Sequence, residues 1–174
     1  MFTDEGRLAV RLQVRWQDRE HPHDLPQLED LFHDCFPGES WTEKDFVKFR
    51  QNQAHNNTIK VLVGHPDDAN RDTLYGAVLY TVGPLAVRVR RVAVAAPYRR
   101  RMYGSFLMSF LVGRRSGFRR KTYTAHVPED NLAAQCFFRS LKFTGPEDGR
   151  AVAVNGRMVL PFTHYKALGA LVGV

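Results

Sequence analysis

Three adjacent arginines, Arg99 to Arg101, stand between an extended apolar run and a helix-like apolar run. The same junction contains Met102, Tyr103, Gly104 and Ser105. A tight turn that leads into a helix leaves backbone N–H groups unpaired at the positive end of the helix dipole. Gly104 allows a ligand to approach the backbone closely, and the arginines offer charge-assisted hydrogen bonds. These residues predict a turn that binds phosphate.

The elements that hold this turn are predicted from hydrophobic spacing. Strand-like runs lie at 8–14, 59–64, 74–82, 87–94, 122–127 and 151–162, the last split into a hairpin at Asn155-Gly156. Three- and four-residue spacing predicts helices at 25–36, from 43 onward, at 103–111 and at 133–141. The order β-α-α-β-β-β-α-β-α-β-β predicts an α+β domain, with one mixed sheet flanked by helices.

Two local signals mark the start of the second helix. Thr42 and Asp45 have the spacing of a capping pair, and Trp41 with Phe46 could form a hydrophobic staple around it.

Length and composition suit one intracellular domain. The 174 residues are 44% hydrophobic, enough for one core, so we expect a single domain over 1–174. A net charge of +7 favours anionic ligands. No apolar run approaches the roughly 18 residues that span a bilayer, and the start is too polar for a signal peptide. Cys35 and Cys136 lie in apolar helix-like runs, which predicts buried free thiols in a reducing cytoplasm.

Two motifs resemble those of the GNAT N-acetyltransferases. The junction is similar to the family's acetyl-CoA motif R/Q-x-x-G-x-G/A, with Arg99 in the first place, Gly104 in the last, and Met102 where the first glycine usually stands. The run from Asn131 to Phe143 resembles the second signature, N-x-x-A-x-x-F-Y-x-x-x-G-F. In that signature Phe138 replaces the usual Tyr and Lys142 replaces the usual Gly.

The resemblance implies a three-layer α/β/α fold whose central sheet is mixed and mostly antiparallel. It also implies acetyl-CoA as co-substrate, no metal, and acetyl transfer to a primary amine by direct attack on the thioester. The implied cofactor-binding residues are Val92, Val94, Arg99, Arg100, Arg101, Met102, Tyr103, Gly104, Ser105, Asn131, Ala134, Phe137 and Phe138. In the family two parallel strands separate at a bulge, here expected near Val94, and Asn131 would hydrogen-bond the pantetheine arm. Asn131 could instead be an ordinary helix N-cap, and Phe137 a core residue.

His126 is the implied catalytic base. In members that acetylate protein N-termini a Glu often stands five residues before the signature Asn, and here that place is held by His126. A histidine with a pKa near neutrality can take a proton from an ammonium group. Phe138 cannot donate a proton to the leaving thiolate, so another acid or water would have to serve. Glu129 and Glu39 are weaker candidates for the base, and Tyr165 is a candidate for the acid.

The acceptor is expected to be a small-molecule or peptide amine. Phe36 to Thr42 resembles the F-x-x-x-W-S/T stretch of ribosomal-protein alanine N-acetyltransferases, which points to a protein N-terminus. Two other functions stay open. Phe138 and Met102 would suit a GNAT-fold sensor or scaffold that binds acetyl-CoA without fast turnover, and the arginines at 88, 90, 91, 99–101, 114, 115, 119 and 120 would suit a nucleic-acid-binding module. We expect a monomer or a homodimer without a membrane partner.

Overall fold

The computed structural model describes residues 11–16, 21–52, 56–65, 72–112, 122–147 and 149–165. Within these ranges the elements are β1 (Arg11–Trp16), α1 (Asp24–Cys35), α2 (Glu43–Gln51), β2 (Asn57–His65), β3 (Thr73–Val82), β4 (Ala86–Val94), α3 (Tyr103–Val112), β5 (Thr122–Pro128), α4 (Leu132–Ser140), β6 (Val152–Val154) and β7 (Arg157–Tyr165). A short 3-10 helix, Ala96–Tyr98, stands between β4 and α3. The predicted order of strands and helices is confirmed. Residues 8–10 of the first predicted strand and the arginines at 114, 115, 119 and 120 lie outside the described residues.

The strands form one sheet in the order β1-β2-β3-β4-β5-β7-β6. Its neighbours pair antiparallel except β4 and β5, which run parallel. A parallel pair needs a crossover connection, and here the chain passes through α3 between the two strands. The predicted mixed, mostly antiparallel sheet is therefore confirmed.

Helices cover both faces of the sheet because each face carries its own apolar cluster. One cluster joins Leu107 and Leu111 of α3 and Phe138 of α4 to the sheet, and the other joins Phe32 of α1 and Phe46 of α2 to it. All five side chains are at most 7% exposed. The predicted three-layer α/β/α arrangement follows from these two cores.

The local signals in the sequence form as predicted. The backbone N–H and the hydroxyl of Thr42 both donate to Asp45 Oδ2, at 2.9 and 2.7 Å, and the rings of Trp41 and Phe46 lie 5.2 Å apart. Asn155 and Gly156 have φ of 49° and 76°, the two positive values that a type I′ hairpin turn requires.

The prediction that both cysteines are buried is wrong for Cys136. Cys35 is partly buried, whereas Cys136 is exposed, and both thiols are free. The buried side of α4 runs through Gln135 and Phe138 instead. Gln135 can be buried because its amide donates to the carbonyl oxygen of Glu129 at 2.7 Å, a pairing that apolarity alone does not reveal.

No helix in the described part of the chain is long and apolar enough to cross a membrane.

Candidate functional site

The parallel strands β4 and β5 separate partway along their length. They pair from Ala86 with Thr122 to Val89 with Ala125, and no further. On its other edge β4 pairs with β3, where Leu79 opposes Arg91 and the next residue, Tyr80, opposes Val89, so that Arg90 is the extra residue of a β-bulge. The bulge thus lies at Arg90, four residues before the expected position near Val94.

Past the bulge, β4 presents a free edge among the described strands. Val92 and Val94 pair with Val78 and Gly76 of β3, which leaves their other side without a strand partner. Both side chains are partly buried. An unpaired edge of this kind can hydrogen-bond an extended ligand as an added strand does.

The free edge leads directly to the predicted phosphate turn. Arg100 and Met102 have φ of 59° and 66°. The N–H of Phe106 donates to the carbonyl of Met102 at 2.9 Å, which makes Met102 the residue that caps α3. The N–H groups of Tyr103, Gly104 and Ser105 therefore belong to the first turn of the helix, where no intrahelical acceptor exists. Together with the helix dipole they make this helix start a candidate anion site.

Met102 adopts the conformation that the usual glycine would supply. Its side chain is 76% exposed and so is not packed into the core. A left-handed conformation costs an L-residue roughly 1–2 kcal/mol, a cost that glycine avoids. Lys142, the second residue that replaces a family glycine, has φ of 65° and carries the same kind of strain.

Gly104, at the start of α3, lies close to both β4 and α4. A Cβ atom at this position would lie 3.2 Å from Cε2 of Phe137 in α4 and 3.5 Å from Cγ2 of Val94 in β4. The lack of a side chain lets the start of α3 pack closely against both elements. Phe137 is partly buried and packs against the core cluster at this junction, which agrees with a core role for its ring.

The three arginines of the turn divide into two roles. Arg99 Nε donates to the carbonyl of Val94 at 2.9 Å, and its Nη2 contacts the carboxylate of Asp34 and lies 3.3 Å from Cys35 Sγ. Arg99 therefore ties the turn to β4 and to the end of α1. Arg100 and Arg101 are exposed and have no ion pair among the described residues, so their guanidinium groups remain available to a phosphate.

The rings of Tyr75, Tyr98 and Tyr103 pack together beside the turn. The Tyr75 ring lies 4.0 Å from that of Tyr98 and 5.5 Å from that of Tyr103, measured between ring centroids. Tyr75 belongs to β3 and is 4% exposed. Sequence reasoning missed Tyr75, because its relation to the turn depends on the pairing of β3 with β4.

The second signature forms the start and body of α4. Asn131 Oδ1 accepts the N–H of Ala134 at 3.0 Å, which is the geometry of an ordinary N-cap. This bond leaves the two N–H donors of the Asn131 amide for a ligand. Ala134 is partly buried, and Phe138 is 7% exposed with its ring 5.1 Å from that of Phe143. Phe138 is a core residue, so a hydroxyl is lacking where the family usually has one.

His126 lies on β5 and faces away from the α3/α4 core. The neighbouring Ala125 and Val127 are buried in that core, and strand alternation turns His126 to the opposite face, where it is partly buried. Desolvation, and next the positive charges of Arg88 and Arg90, lower the pKa of His126 below its ordinary value. At neutral pH His126 is therefore neutral and able to accept a proton.

Glu39 is occupied by other interactions. Its carboxylate accepts two bonds from Arg91, at 2.6 and 3.0 Å, and one from Trp41 Nε1 at 3.0 Å. Partial burial by itself would raise the pKa of Glu39, but these hydrogen bonds and the charges of Arg91 and Arg157 outweigh burial and lower it. A carboxylate held in this way is a weak base. This geometry argues against Glu39 as the catalytic base.

Tyr165 lies far from His126 along the sheet. Tyr165 pairs with Thr122, whereas His126 pairs with Pro161, so Tyr165 lies four residues farther along β7. At a rise of about 3.3 Å per residue the separation is about 13 Å, which argues against Tyr165 as the acid partner of His126.

Glu129 follows β5 and lines an open groove beside the start of α4, which the sequence did not predict. The groove is lined by Pro128, Glu129, Asp130, Asn131, Leu132, Ala133, Arg157 and Met158.

Across the ranges that the structure describes, no cluster of three or more His, Cys, Asp or Glu side chains could hold a metal ion.

Comparisons with known proteins agree with this geometry. The Acetyltransferase (GNAT) family matches residues 25–143. The solved ribosomal-protein-S18-alanine N-acetyltransferase from Escherichia coli has a similar fold, with a TM-score of 0.66 and 16% identity over 94% of this chain and 99% of its own. Arabidopsis thaliana Naa50, in complex with the bisubstrate analogue CoA-Ac-MVNAL, has a TM-score of 0.63 and 17% identity over 88% of this chain and 97% of its own.

A third similar structure is an aminoglycoside 6'-N-acetyltransferase complexed with coenzyme A, with a TM-score of 0.68 and 12% identity over 90% of this chain and 98% of its own. No curated protein matches the sequence significantly. At these identities the solved structures establish the fold, and the family match, which covers most of the chain, establishes descent. The chain belongs to the GNAT acetyltransferase family.

Proposed function

We propose that this protein is an acetyl-CoA-dependent N-acetyltransferase that acts on a primary amine by direct attack on the thioester. The observation that carries the proposal is the continuity of the free β4 edge with the anion site at the start of α3. The edge ends at Val94 and the anion site begins within ten residues of it, at Tyr103. An extended amide chain that ends in a pyrophosphate matches both parts.

The residues of this surface suit each part of the cofactor. The N–H groups of Tyr103 to Ser105, with Arg100 and Arg101, would hold the pyrophosphate. The edge from Val92 to Val94 would pair with the pantetheine amides, the Asn131 amide would donate to the same arm, and Ala134 and Phe137 would pack beside it. When bound, acetyl-CoA supplies the activated acetyl group.

His126 would then accept the proton that the attacking amine loses. Its lowered pKa keeps the imidazole neutral at physiological pH, which is the state that a general base needs. Phe138 has no proton to give to the leaving thiolate. We propose that water supplies that proton, because the open groove beside Asn131 admits solvent.

A protein N-terminus is the acceptor that the relatives favour. One of the similar structures is named as a ribosomal-protein-S18-alanine N-acetyltransferase and a second holds the bisubstrate analogue CoA-Ac-MVNAL, while the third is an aminoglycoside 6'-N-acetyltransferase. In the Phe36 to Thr42 segment, Trp41 packs on Phe32 and Phe46 with ring separations of 5.5 and 5.2 Å. Trp41 thus fixes the shape of the loop between α1 and α2, and we propose that this loop borders the acceptor.

Calorimetric titration with acetyl-CoA, with CoA and with a short DNA duplex tests the proposal, followed by a thiol-release assay on amines and N-terminal peptides. Micromolar binding of acetyl-CoA with thiol release on one acceptor class is the expected result. Binding without release would favour the sensor, for which Phe138 is the motivating residue. Binding of the duplex alone would favour a nucleic-acid module and contradict the proposal.

A further inference from the structure

The sheet face that carries His126 is strongly basic. β4 contributes Arg88, Arg90 and Arg91 to this face, and β7 contributes Arg157, whose charge acts on Glu39. Glu39 is paired with Arg91 and feels the charge of Arg157. Among these described residues, four arginines and one glutamate leave three positive charges in excess while His126 is neutral.

Only part of this charge is balanced within the described chain. Arg91 forms a two-point ion pair with Glu39, at 2.6 and 3.0 Å. Arg88 and Arg90 have no carboxylate within ion-pair distance among the described residues. Desolvation lowers the pKa of Arg90, and the charges of Arg88 and Arg91 lower it further, although a guanidinium stays protonated at neutral pH. Like charges placed close together repel one another, and a bound group of opposite charge relieves that repulsion.

Arg88 and Arg90 lie beside the strand that carries the proposed base, His126. Arg88 pairs in register with Thr124, which precedes His126 by two residues on the same face of β5. Two strand residues span about 7 Å. Arg90 is the bulge residue itself, at the point where β4 and β5 separate. Arg88 is therefore offset from His126 by about 7 Å along the strand direction, and the charges of both arginines act on His126. Both arginines precede by nine or more residues the phosphate turn that begins at Arg99.

Arg88 and Arg90 are exposed on this face, whereas Arg91 is partly covered. The loop after α1 lies over it, since the Arg91 guanidinium lies 5.7 Å from the ring centroid of Phe36 while also holding Glu39. The exposed guanidinium groups of Arg88 and Arg90 are therefore accessible to an anion that approaches from solvent.

We propose that Arg88 and Arg90 bind an anionic group of the acceptor, so that the preferred substrate is an amine with a carboxylate close to the reacting nitrogen. The inference rests on the proposed function and names its substrate class. An N-terminal peptide with Asp or Glu among its first two residues carries such a carboxylate, and so does a free amino acid.

The test compares acceptors that differ only in charge. Peptides that begin Met-Glu, Met-Gln and Met-Lys form one set, and a free amino acid with its amide forms the other, each assayed for kcat/KM by thiol release. We expect the acidic peptide to exceed its amide partner by about ten-fold, because hydrogen bonds to charged groups contribute more than neutral ones. A preference in the second set alone would identify a small-molecule acceptor of the same chemistry.

Arginine variants assign the preference to this pair. The ratio of acidic to amide acceptor should fall to near one in the Arg88→Gln, Arg90→Gln double variant, and Arg90→Glu should shift preference to the Met-Lys peptide. Arg139→Gln removes the same charge from α4 and should leave the ratio unchanged. Turnover without an acidic preference, or a preference that survives the double variant, would overturn the inference.

A binding measurement separates this inference from the proposed function. An anion bound beside Arg88 and Arg90 should raise the pKa of His126, observed by NMR titration with the Met-Glu peptide and with its Met-Gln control. A rise with the acidic peptide in the absence of turnover would uphold the recognition and contradict the enzyme. Neither turnover nor a shift would contradict both.

Discussion

His126 is the residue on which the proposed chemistry depends most directly. Desolvation and the charges of Arg88 and Arg90 lower its pKa below the ordinary value. A base with a lowered pKa loses activity only as the pH falls through that value, so turnover should stay constant from neutral to mildly alkaline pH and fall in the acidic range. His126→Ala should reduce kcat by about 100-fold or more, within the range of general-base contributions, and leave acetyl-CoA affinity within about two-fold.

A pH profile of kcat measures this effect, with acetyl-CoA and the uncharged Met-Gln peptide saturating so that no acceptor carboxylate raises the pKa of His126. In the Arg88→Gln, Arg90→Gln variant the acidic limb should move to higher pH, because two of the causes that lower the pKa of His126 are gone. Unchanged turnover in His126→Ala would remove this residue from the mechanism and return attention to Glu129.

Met102 and Lys142 carry backbone strain at two positions where the family motifs have glycine. Both stand where the family has glycine, and both have positive φ, of 66° and 65°. Met102→Gly should therefore raise the free energy of unfolding by about 1 kcal/mol and the melting temperature by about 2–4 °C. Met102→Ala keeps a Cβ in the same conformation and should show no such gain. Equal melting temperatures for the Gly and Ala variants would contradict the strain.

At the scale of elements, Gly104 leaves the start of α3 accessible to the proposed phosphate ligand. Gly104→Ala adds a Cβ 3.2 Å from Phe137, a contact that a shift of a few tenths of an ångström relieves. Gly104→Glu adds the same Cβ and also a carboxylate in the anion site. We expect the Ala variant to bind acetyl-CoA within about five-fold of the parent and the Glu variant at least about ten-fold more weakly than the Ala variant, a difference of about 1.4 kcal/mol.

Calorimetry measures both affinities, and circular dichroism checks that both variants are folded. If Gly104→Glu binds as tightly as Gly104→Ala, the phosphate does not lie at this helix start.

The elements were predictable where the signal is local in sequence. The Thr42 and Asp45 cap, the Asn155-Gly156 turn and the apolar spacing of α3 each depend on residues a few positions apart. The bulge at Arg90 depends on how β4 pairs with β3, and the contact of Arg99 with Asp34 joins residues 65 positions apart. Such features arise only after the sheet is assembled, which is why the bulge was expected near Val94 and Arg99 was assigned to phosphate alone.

For the molecule as a whole, the distribution of charge matters more than the net value of +7. Among the described residues, two sets of exposed arginines lie near the proposed site, Arg100 and Arg101 at the turn and Arg88 and Arg90 on the sheet face. The free edge of β4 lies between the two sets. This arrangement suits a cofactor whose phosphates bind at the turn and a separate acceptor that binds at the sheet face. A nucleic-acid module would instead need a continuous basic surface along which several phosphates bind.

Ligand-dependent melting distinguishes these two arrangements. A ligand at 100 times its dissociation constant stabilises the folded state by about 2.7 kcal/mol, which for a chain of this size corresponds to roughly 5–11 °C in melting temperature. We expect that rise with acetyl-CoA and with CoA, reduced but still present at high salt, because backbone N–H groups and the β4 edge contribute besides charge. A DNA duplex should give little shift, and any shift should vanish at high salt, since counterion release supplies nearly all of such binding. A large rise with the duplex and none with CoA would mean that the two basic sets act as one nucleic-acid surface.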